Sequence, residues 1–257
     1  MTLYRIIKSG SAGNAVIYHE EVLVDLGVPF KQIEPFLGSI KYLLLTHEHK
    51  DHLNLNAILT VATDYPNIKI LGTAATIEIM KNYGVENAFE LEAHEWYDLG
   101  GYEIMALELK HNVPTVGYMI DKKEYTQAFE KNGKLAVGIE YHRTFHATDT
   151  GTLTHIEAKG MDLYAVEFNH DEDLIQEAIE YKKELRAQGK KAYIHEYRSM
   201  KDHQSNQAAQ KWLDENDTKN AIIVKLHVSD KYGGQIDKDQ PMVMRRAESE
   251  KIREQKR

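Results

Sequence analysis

Between positions 47 and 52 the chain places five potential metal ligands in six residues: His47, Glu48, His49, Asp51 and His52. They follow Thr46 and the apolar run Tyr42-Leu43-Leu44-Leu45. Imidazole nitrogens and carboxylate oxygens suit divalent cations that make water reactive, so metal-assisted hydrolysis is the chemistry this density points to. Three imidazoles and a carboxylate so close in sequence cannot all surround one ion, because ligands must spread around it in space, and the spacing therefore suggests two metals. In extended chain, residues i and i+2 face the same side, so His47 and His49 can converge on one ion. Asp51 and His52 fall where the chain must turn toward a helix, and a turn can aim them at a second.

The elements that have to position this motif can be read from residue periodicity. Residues 40–45 form an apolar strand that delivers the motif, and 53–65 carry Leu55, Ile58, Leu59 and Ala62 at helical spacing before Pro66 and Asn67 close the helix. Upstream, 3–7 and 15–18 read as strands of a hairpin around Ser9-Gly10-Ser11-Ala12-Gly13-Asn14, 21–27 as a further strand ending at Asp25, and 29–37 as a short helix. Downstream, 69–71 is a short strand and 73–83 a helix stopped by Gly84. Residues 89–91 and 101–109 read as strands around the turn Asp98-Leu99-Gly100-Gly101. A strand over 163–167 reaches the polar triplet Asn169-His170-Asp171. Asp171 suits the N-cap of an amphipathic helix over 172–188, while His170 could donate a proton to a leaving group. Residues 192–195 read as a strand, Ser205 as the cap of a helix reaching Asn216, and 221–226 as the last buried strand, which delivers His227. The charged stretch 122–133, within 122–142, reads as a solvated loop or helical excursion. The tail 241–257 reads as a solvated helix that a nucleic acid or another subunit could touch.

Composition bounds these readings. A chain of 257 residues with 42% hydrophobic and 28% charged residues can bury one large core, so a single catalytic domain over 1–240 with a charged tail is the economical organisation. Cysteine is absent, which excludes disulfides and thiolate metal sites and leaves nitrogen and oxygen ligands. The formal net charge of −8 argues against broad electrostatic capture of nucleic acid, although bound cations would supply local positive charge in a cleft. The first residues lack the apolar stretch of a secretory signal and no run approaches a membrane span. A cytoplasmic protein without membrane contact is the expectation.

Thr46-His47-Glu48-His49-Lys50-Asp51-His52 resembles the signature of the metallo-β-lactamase superfamily. The resemblance implies an α/β fold, the four-layer αββα sandwich, with metals at one edge of two packed sheets. It also assigns residues. His111, which on its own would be a surface loop histidine, matches the slot for the third imidazole of a first site with His47 and His49. In Ala147-Thr148-Asp149-Thr150-Gly151, Asp149 matches the carboxylate that bridges two ions, and His227 matches the last ligand of a second site with Asp51 and His52, with His203 as rival. Asp25 would buttress the metal loop by orienting an imidazole, although it could simply cap the following turn. His146 and His155 occupy no ligand position of the family and read as structural or surface histidines.

Three stretches are similar to one branch, the WalJ-like exonucleases: residues 9–15, Asn169-His170-Asp171, and Asp202-His203-Gln204-Ser205-Asn206, where Asp202 and Gln204 depart from the branch's Gly-His-Leu-Ser-Asn. The resemblance implies a hydrolase holding two divalent ions, zinc first and manganese or iron as alternatives, acting on a nucleic acid or another phosphodiester. Asp51 would accept a hydrogen bond from the attacking water, His203 would bind an anion, and Asn169 would lie close to the metals. The competing readings are a hydrolase of a small lactone, thioester or cyclic phosphate, and a binding protein that keeps its metals without turnover. Oligomeric state is open.

Overall fold

The computed structural model describes residues 3–129, 135–216 and 218–234 together with the pair 244–245. Its first half alternates short strands and helices: β1 (Tyr4–Lys8), β2 (Ala15–Tyr18), β3 (Val22–Val24), α1 (Phe30–Ile33) continued by a 3-10 turn, β4 (Tyr42–Leu45), α2 (Leu55–Asp64), β5 (Lys69–Gly72), α3 (Ala74–Asn82) and β6 (Ala88–Glu90). The second half supplies β7 (Trp96–Asp98), β8 (Tyr102–Leu109), β9 (Thr115–Phe129), β10 (Leu135–Ala147), β11 (Leu163–Glu167), α4 (Glu172–Ala187), α5 (Glu196–Asp202), α6 (Asn206–Glu215), β12 (Ile222–Leu226) and β13 (Met244–Arg245). Helix starts follow local chemistry. Asn54, Thr73, Asp171 and Ser205 each accept a backbone N–H of the first turn of α2, α3, α4 and α6.

The strands form two sheets, β1-β2-β3-β4-β5-β6 and β13-β12-β11-β10-β9-β8-β7. β3, β4, β5 and β6 run parallel, as do β10, β11 and β12, so the carboxyl ends of each set lie along one edge. Alternation within β4 shows how the layers are built. Leu43 and Leu45 pack with Ile33, Ile58, Val61 and Met80 beneath the helices, whereas Tyr42 and Leu44 join Ile104, Tyr118, Ala165 and Val224 between the sheets. A third cluster on the far side of the second sheet joins Phe145, Tyr164 and Val166 to Trp212 and Leu213. Each fully buried aliphatic side chain in these layers contributes about 2 kcal/mol of transfer free energy. Helices, sheet, sheet and helices make the αββα sandwich that the motif resemblance implies.

Several local expectations change. The stretch expected as a solvated loop or helical excursion after position 122 is strand where it is described. β9 and β10 pair antiparallel from Tyr118 opposite His146 out to Phe129 opposite Leu135. Opposed pairs such as Lys122 with His142, Lys123 with Tyr141 and Tyr125 with Ile139 let both strands continue past the sheet, because cross-strand pairs suffice to extend a hairpin. Residues 192–195 form no strand. They lead into α5, which the short polar sequence Glu196-Tyr197-Arg198-Ser199 did not announce. β7 was also missed, since its three residues are too few to show alternation. Of the tail read as a solvated helix, only Met244 and Arg245 are described, paired as strand with Ile223 and Ile222; the remainder lies outside the described residues. Among the described residues no helix is long and apolar enough to cross a membrane.

Candidate metal centre

Every motif residue sits just past the carboxyl end of a strand. His47 follows β4, His111 follows β8, Asp149 follows β10, Glu167 ends β11 and His227 follows β12. Turning these chain ends toward one point strains the backbone. Asp25, Asp149 and His227 adopt left-handed conformations, with φ of 59°, 53° and 52°, which non-glycine residues seldom hold unless surrounding structure enforces it.

The loop after β4 is bound from all sides. Asp25 Oδ1 accepts the Thr46 backbone N–H at 2.8 Å, and its Oδ2 lies 2.6 Å from His52 Nδ1. An imidazole that donates through Nδ1 keeps its Nε2 lone pair free, so this contact selects the tautomer of His52. Asn14 Nδ2 approaches that Nε2 at 2.8 Å, and the Asn14 N–H donates to the Asp51 carbonyl at 2.7 Å. Gly27 is needed because a Cβ there would lie 1.7 Å from the Asp51 carbonyl oxygen.

Around this loop the ring nitrogens converge. His47 Nε2 and His49 Nδ1 are 3.0 Å apart, and His49 Nδ1 and His111 Nε2 are 3.4 Å apart. Two ligands on one tetrahedral zinc with Zn–N bonds of about 2.0–2.1 Å are separated by about 3.3 Å, so these spacings fit a shared cation. Asp149 stands in the middle. Its Oδ1 lies 3.1 Å from His203 Nδ1 and 3.4 Å from His227 Nε2, while its Oδ2 touches His52 Nε2 and lies 3.7 Å from His47 Nε2. Asp51 Oδ2 is 3.8 Å from His52 Nε2 and 4.0 Å from His227 Nε2. His227 Nε2 is buried with no hydrogen-bond partner, a cost of about 1–3 kcal/mol that a cation would remove. The donor set therefore fits divalent metal.

The groups differ in charge. Burial, reinforced by the neighbouring His52 charge, lowers His47 to about 2, and burial also lowers His111. Burial opposes protonation of His52 too, but Asp149 and Asp25 outweigh it and raise the ring to about 10. His203 is likewise carried past its burial penalty, to about 9, by hydrogen bonds to Asp149 and Glu167. His227 rises well above its ordinary value against burial through Asp149, Asp51 and Glu167. In return Asp149, despite burial, is held well below the usual carboxylate range by His227 and His52.

Of the residues singled out in the sequence, His47, His49, Asp51, His52, His111, Asp149, His203 and His227 come together, in overlapping groups able to offer ligand atoms to a common ion. Asp25 touches His52, and Asn169 Nδ2 donates to the His227 carbonyl at 3.0 Å. His170 is not brought in. It is 2% exposed, stands beside Asn169, and does not line the cleft over the cluster, because the chain turns at once into the cap of α4. A catalytic proton from His170 therefore has no support in the geometry. His146 is buried against the Tyr18 hydroxyl, and His155 Nε2 lies 3.0 Å from the Glu108 carbonyl, both outside the cluster.

Glu167 is what the sequence reading missed. This fully buried carboxylate lies 2.8 Å from His203 Nδ1 and 3.1 Å from His227 Nδ1. The only signal in the sequence is a glutamate ending the apolar run Leu163-Tyr164-Ala165-Val166.

A cleft of about 280 Å³ opens over the cluster, lined by Ser11, His49, Asp51, Asn112, Asp149 and α5 residues including Arg198 and Ser199. A sequence profile of the β-lactamase superfamily domain matches residues 22–208, and the chain belongs to that family. Among particular relatives, the exodeoxyribonuclease YycJ of Bacillus anthracis is 24% identical over 67% of this chain; the match spans 65% of that protein, less than two thirds of its length. The metallo-β-lactamase fold protein YhfI of Bacillus subtilis superposes with a TM-score of 0.62 at 14% identity, covering 88% of this chain and 86% of its own. The short form of human tRNase Z superposes with a TM-score of 0.57 at 16% identity, covering 89% and 93%.

Proposed function

We propose that the chain is a metal-dependent phosphodiesterase acting on nucleic acid. The observation that carries this reading is the convergence of six imidazoles and two aspartates, from four strand ends and the end of α5, beneath one cleft. The nuclease names of YycJ and tRNase Z support the substrate class. His47, His49 and His111 would hold one ion, Asp51, His52 and His227 a second, and Asp149 would reach both; zinc suits this donor set, with manganese or iron as alternatives. Divalent cations in such a site make water a usable nucleophile near neutral pH and offset negative charge at the phosphate.

The chain's own groups divide the remaining work. Asp51, partly exposed at the cleft floor and held ionised against burial by His227, is placed to accept a proton from attacking water. Glu167 accepts Nδ1–H bonds from His203 and His227 and so sets both rings. His203 lines the cleft and is kept protonated by Glu167 and Asp149, which suits it to supply the proton a leaving oxygen needs.

The test is to measure metal content and then incubate the protein with end-labelled DNA and RNA beside an Asp51→Ala control. Cleavage by the parent and its loss in the variant are expected. Metal-loaded protein that cuts no DNA, RNA or aryl phosphodiester would overturn the proposal. The rival, hydrolysis of a lactone, thioester or cyclic phosphate, draws on the acidic net charge of −8 and would be established by turnover of such compounds alone.

A further inference from the structure

One wall of the cleft is α5, and its placement is over-determined. At its start Glu196 is fully buried, with Oε1 2.5 Å from Lys182 Nζ of α4 and accepting the Tyr232 hydroxyl at 2.5 Å from the turn beyond His227. At its end the Asp202 carbonyl lies 3.0 Å from His111 Nδ1, and His203 meets Glu167 and Asp149. Gly151 lets the helix lie this close, since a Cβ there would be 2.3 Å from the Lys201 carbonyl oxygen. A seven-residue helix pinned at its start to α4 and Tyr232 and at its end to the ligand cluster is held in place above that cluster.

Residues 195, 198, 199 and 202 line the cleft from this wall, and Arg198 is the one arginine or lysine among the described residues that line it. Its Nε lies 3.2 Å from Asp202 Oδ2, one turn along, which orients the guanidinium without using its terminal nitrogens. The side chain is 76% exposed, so the terminal N–H groups face open solvent at the cleft rim. A guanidinium held by Nε presents a planar pair of donors that matches two oxygens of a phosphate. Elsewhere on the wall and floor Ser11, Asn112 and Ser199 offer neutral polar groups while Asp51, Asp149 and Asp202 repel an anion, so with the scissile phosphate at the cluster, Arg198 is the one arginine or lysine of the described lining left for a neighbouring phosphate. Beyond α5, the exposed face of α4 carries Asp173, Glu177, Glu180 and Glu184 and turns a phosphate backbone away.

Resting on the phosphodiesterase reading, we propose that Arg198 is a second phosphate site, gripping the phosphate next to the scissile one. The preferred substrate class is then an oligonucleotide with consecutive phosphates, rather than a cyclic nucleotide or a simple diester. Arg198 acts in substrate positioning and does not take part in bond cleavage.

The experiment compares parent, Arg198→Ala and Arg198→Lys in three measurements: metal content, anisotropy binding of a fluorescein-labelled phosphorothioate oligothymidylate that resists cleavage, and kinetics on the matching phosphodiester oligonucleotide and on bis(p-nitrophenyl) phosphate. Expected are unchanged metal content, about tenfold weaker oligonucleotide binding and a matching rise in KM for Arg198→Ala, partial recovery in Arg198→Lys, and aryl-diester turnover within about twofold of the parent. Equal losses on both substrates, or altered metal content, would mean that Arg198 works through Asp202 on His111, and would overturn the assignment. Binding by the parent that the substitutions leave unchanged overturns it alone, with the nuclease reading intact. A parent that neither binds the oligonucleotide nor cuts any phosphodiester removes both.

Discussion

The group formed by His47, His49 and His111 contains only imidazoles, while the group formed by Asp149, Glu167, His203 and His227 alternates imidazole with carboxylate. In the first, burial outweighs the opposing pull of Asp149 and lowers His47 and His111, so their nitrogens are neutral and ready for a cation. In the second, the carboxylates reverse the burial penalty and raise His203 and His227. His47 and His111 therefore wait for a metal with lone pairs already free. The second group neutralises itself, and a metal entering it must displace protons. The second group is the more buried of the two and its rings are nonetheless raised, so the neighbouring carboxylates decide the charge state.

Asp149 touches both groups, and its removal should have the largest effect. Asp149→Ala is expected to lower phosphodiester hydrolysis about a thousandfold, the equivalent of about 4 kcal/mol of barrier. Kinetics with metal content measured alongside checks this, and a loss no greater than that of Glu167→Gln would break the picture of Asp149 as shared. Gly27→Ala attacks the loop that carries His47, His49 and His52, because its Cβ would collide with the Asp51 carbonyl. A stability loss of about 3–5 kcal/mol in urea titration is expected, and a normal midpoint would show that the loop can yield. Glu167→Gln strikes the second group only. It should cost about 10–100-fold in metal affinity or activity, with the His47 group retaining its ion in a titration of binding stoichiometry.

The pH dependence sharpens the contrast further. His52, raised to about 10, and His227, raised by its carboxylate neighbours, must lose protons to hold the second ion, so affinity there should tighten about tenfold per pH unit for each proton displaced between pH 7 and about 10. At His47, lowered to about 2, no such rise is expected over that range. Chelator competition at pH 7 and pH 8 separates the two. Stability of metal-free protein should respond in opposite senses. The His203 contribution is fully present below the unfolded value near 6.5 and is lost as pH rises through about 9. The His47 contribution is present above 6.5 and is lost as pH falls toward about 2. Thermal melts of metal-free protein across this range should show a maximum near neutrality.

How far the chain could be read in advance followed the range of the interactions involved. The His47–His52 motif was legible because its ligands are contiguous and follow an apolar strand. The helix caps Asp171 and Ser205 were legible because capping is local. His111, Asp149 and His227 were reached only through family resemblance, since nothing local separates them from surface histidines or a turn aspartate. α5 and Arg198 escaped notice because seven polar residues carry no periodicity, and the hairpin beyond 122 because cross-strand pairing is not visible in either strand alone.

The amino-acid sequence by itself determined that the protein has a loop dense in nitrogen and oxygen donors suited to a divalent metal, and it determined the strands and helices whose apolar spacing builds the layers. Local covalent spacing and side-chain periodicity suffice for both. Only the tertiary structure decided that Glu167 sets the rings of His203 and His227, that His170 stays outside the cleft, that Arg198 stands over it, and which imidazoles carry charge. Those properties depend on distances between groups far apart in the chain, and burial and Coulomb interaction act through those distances.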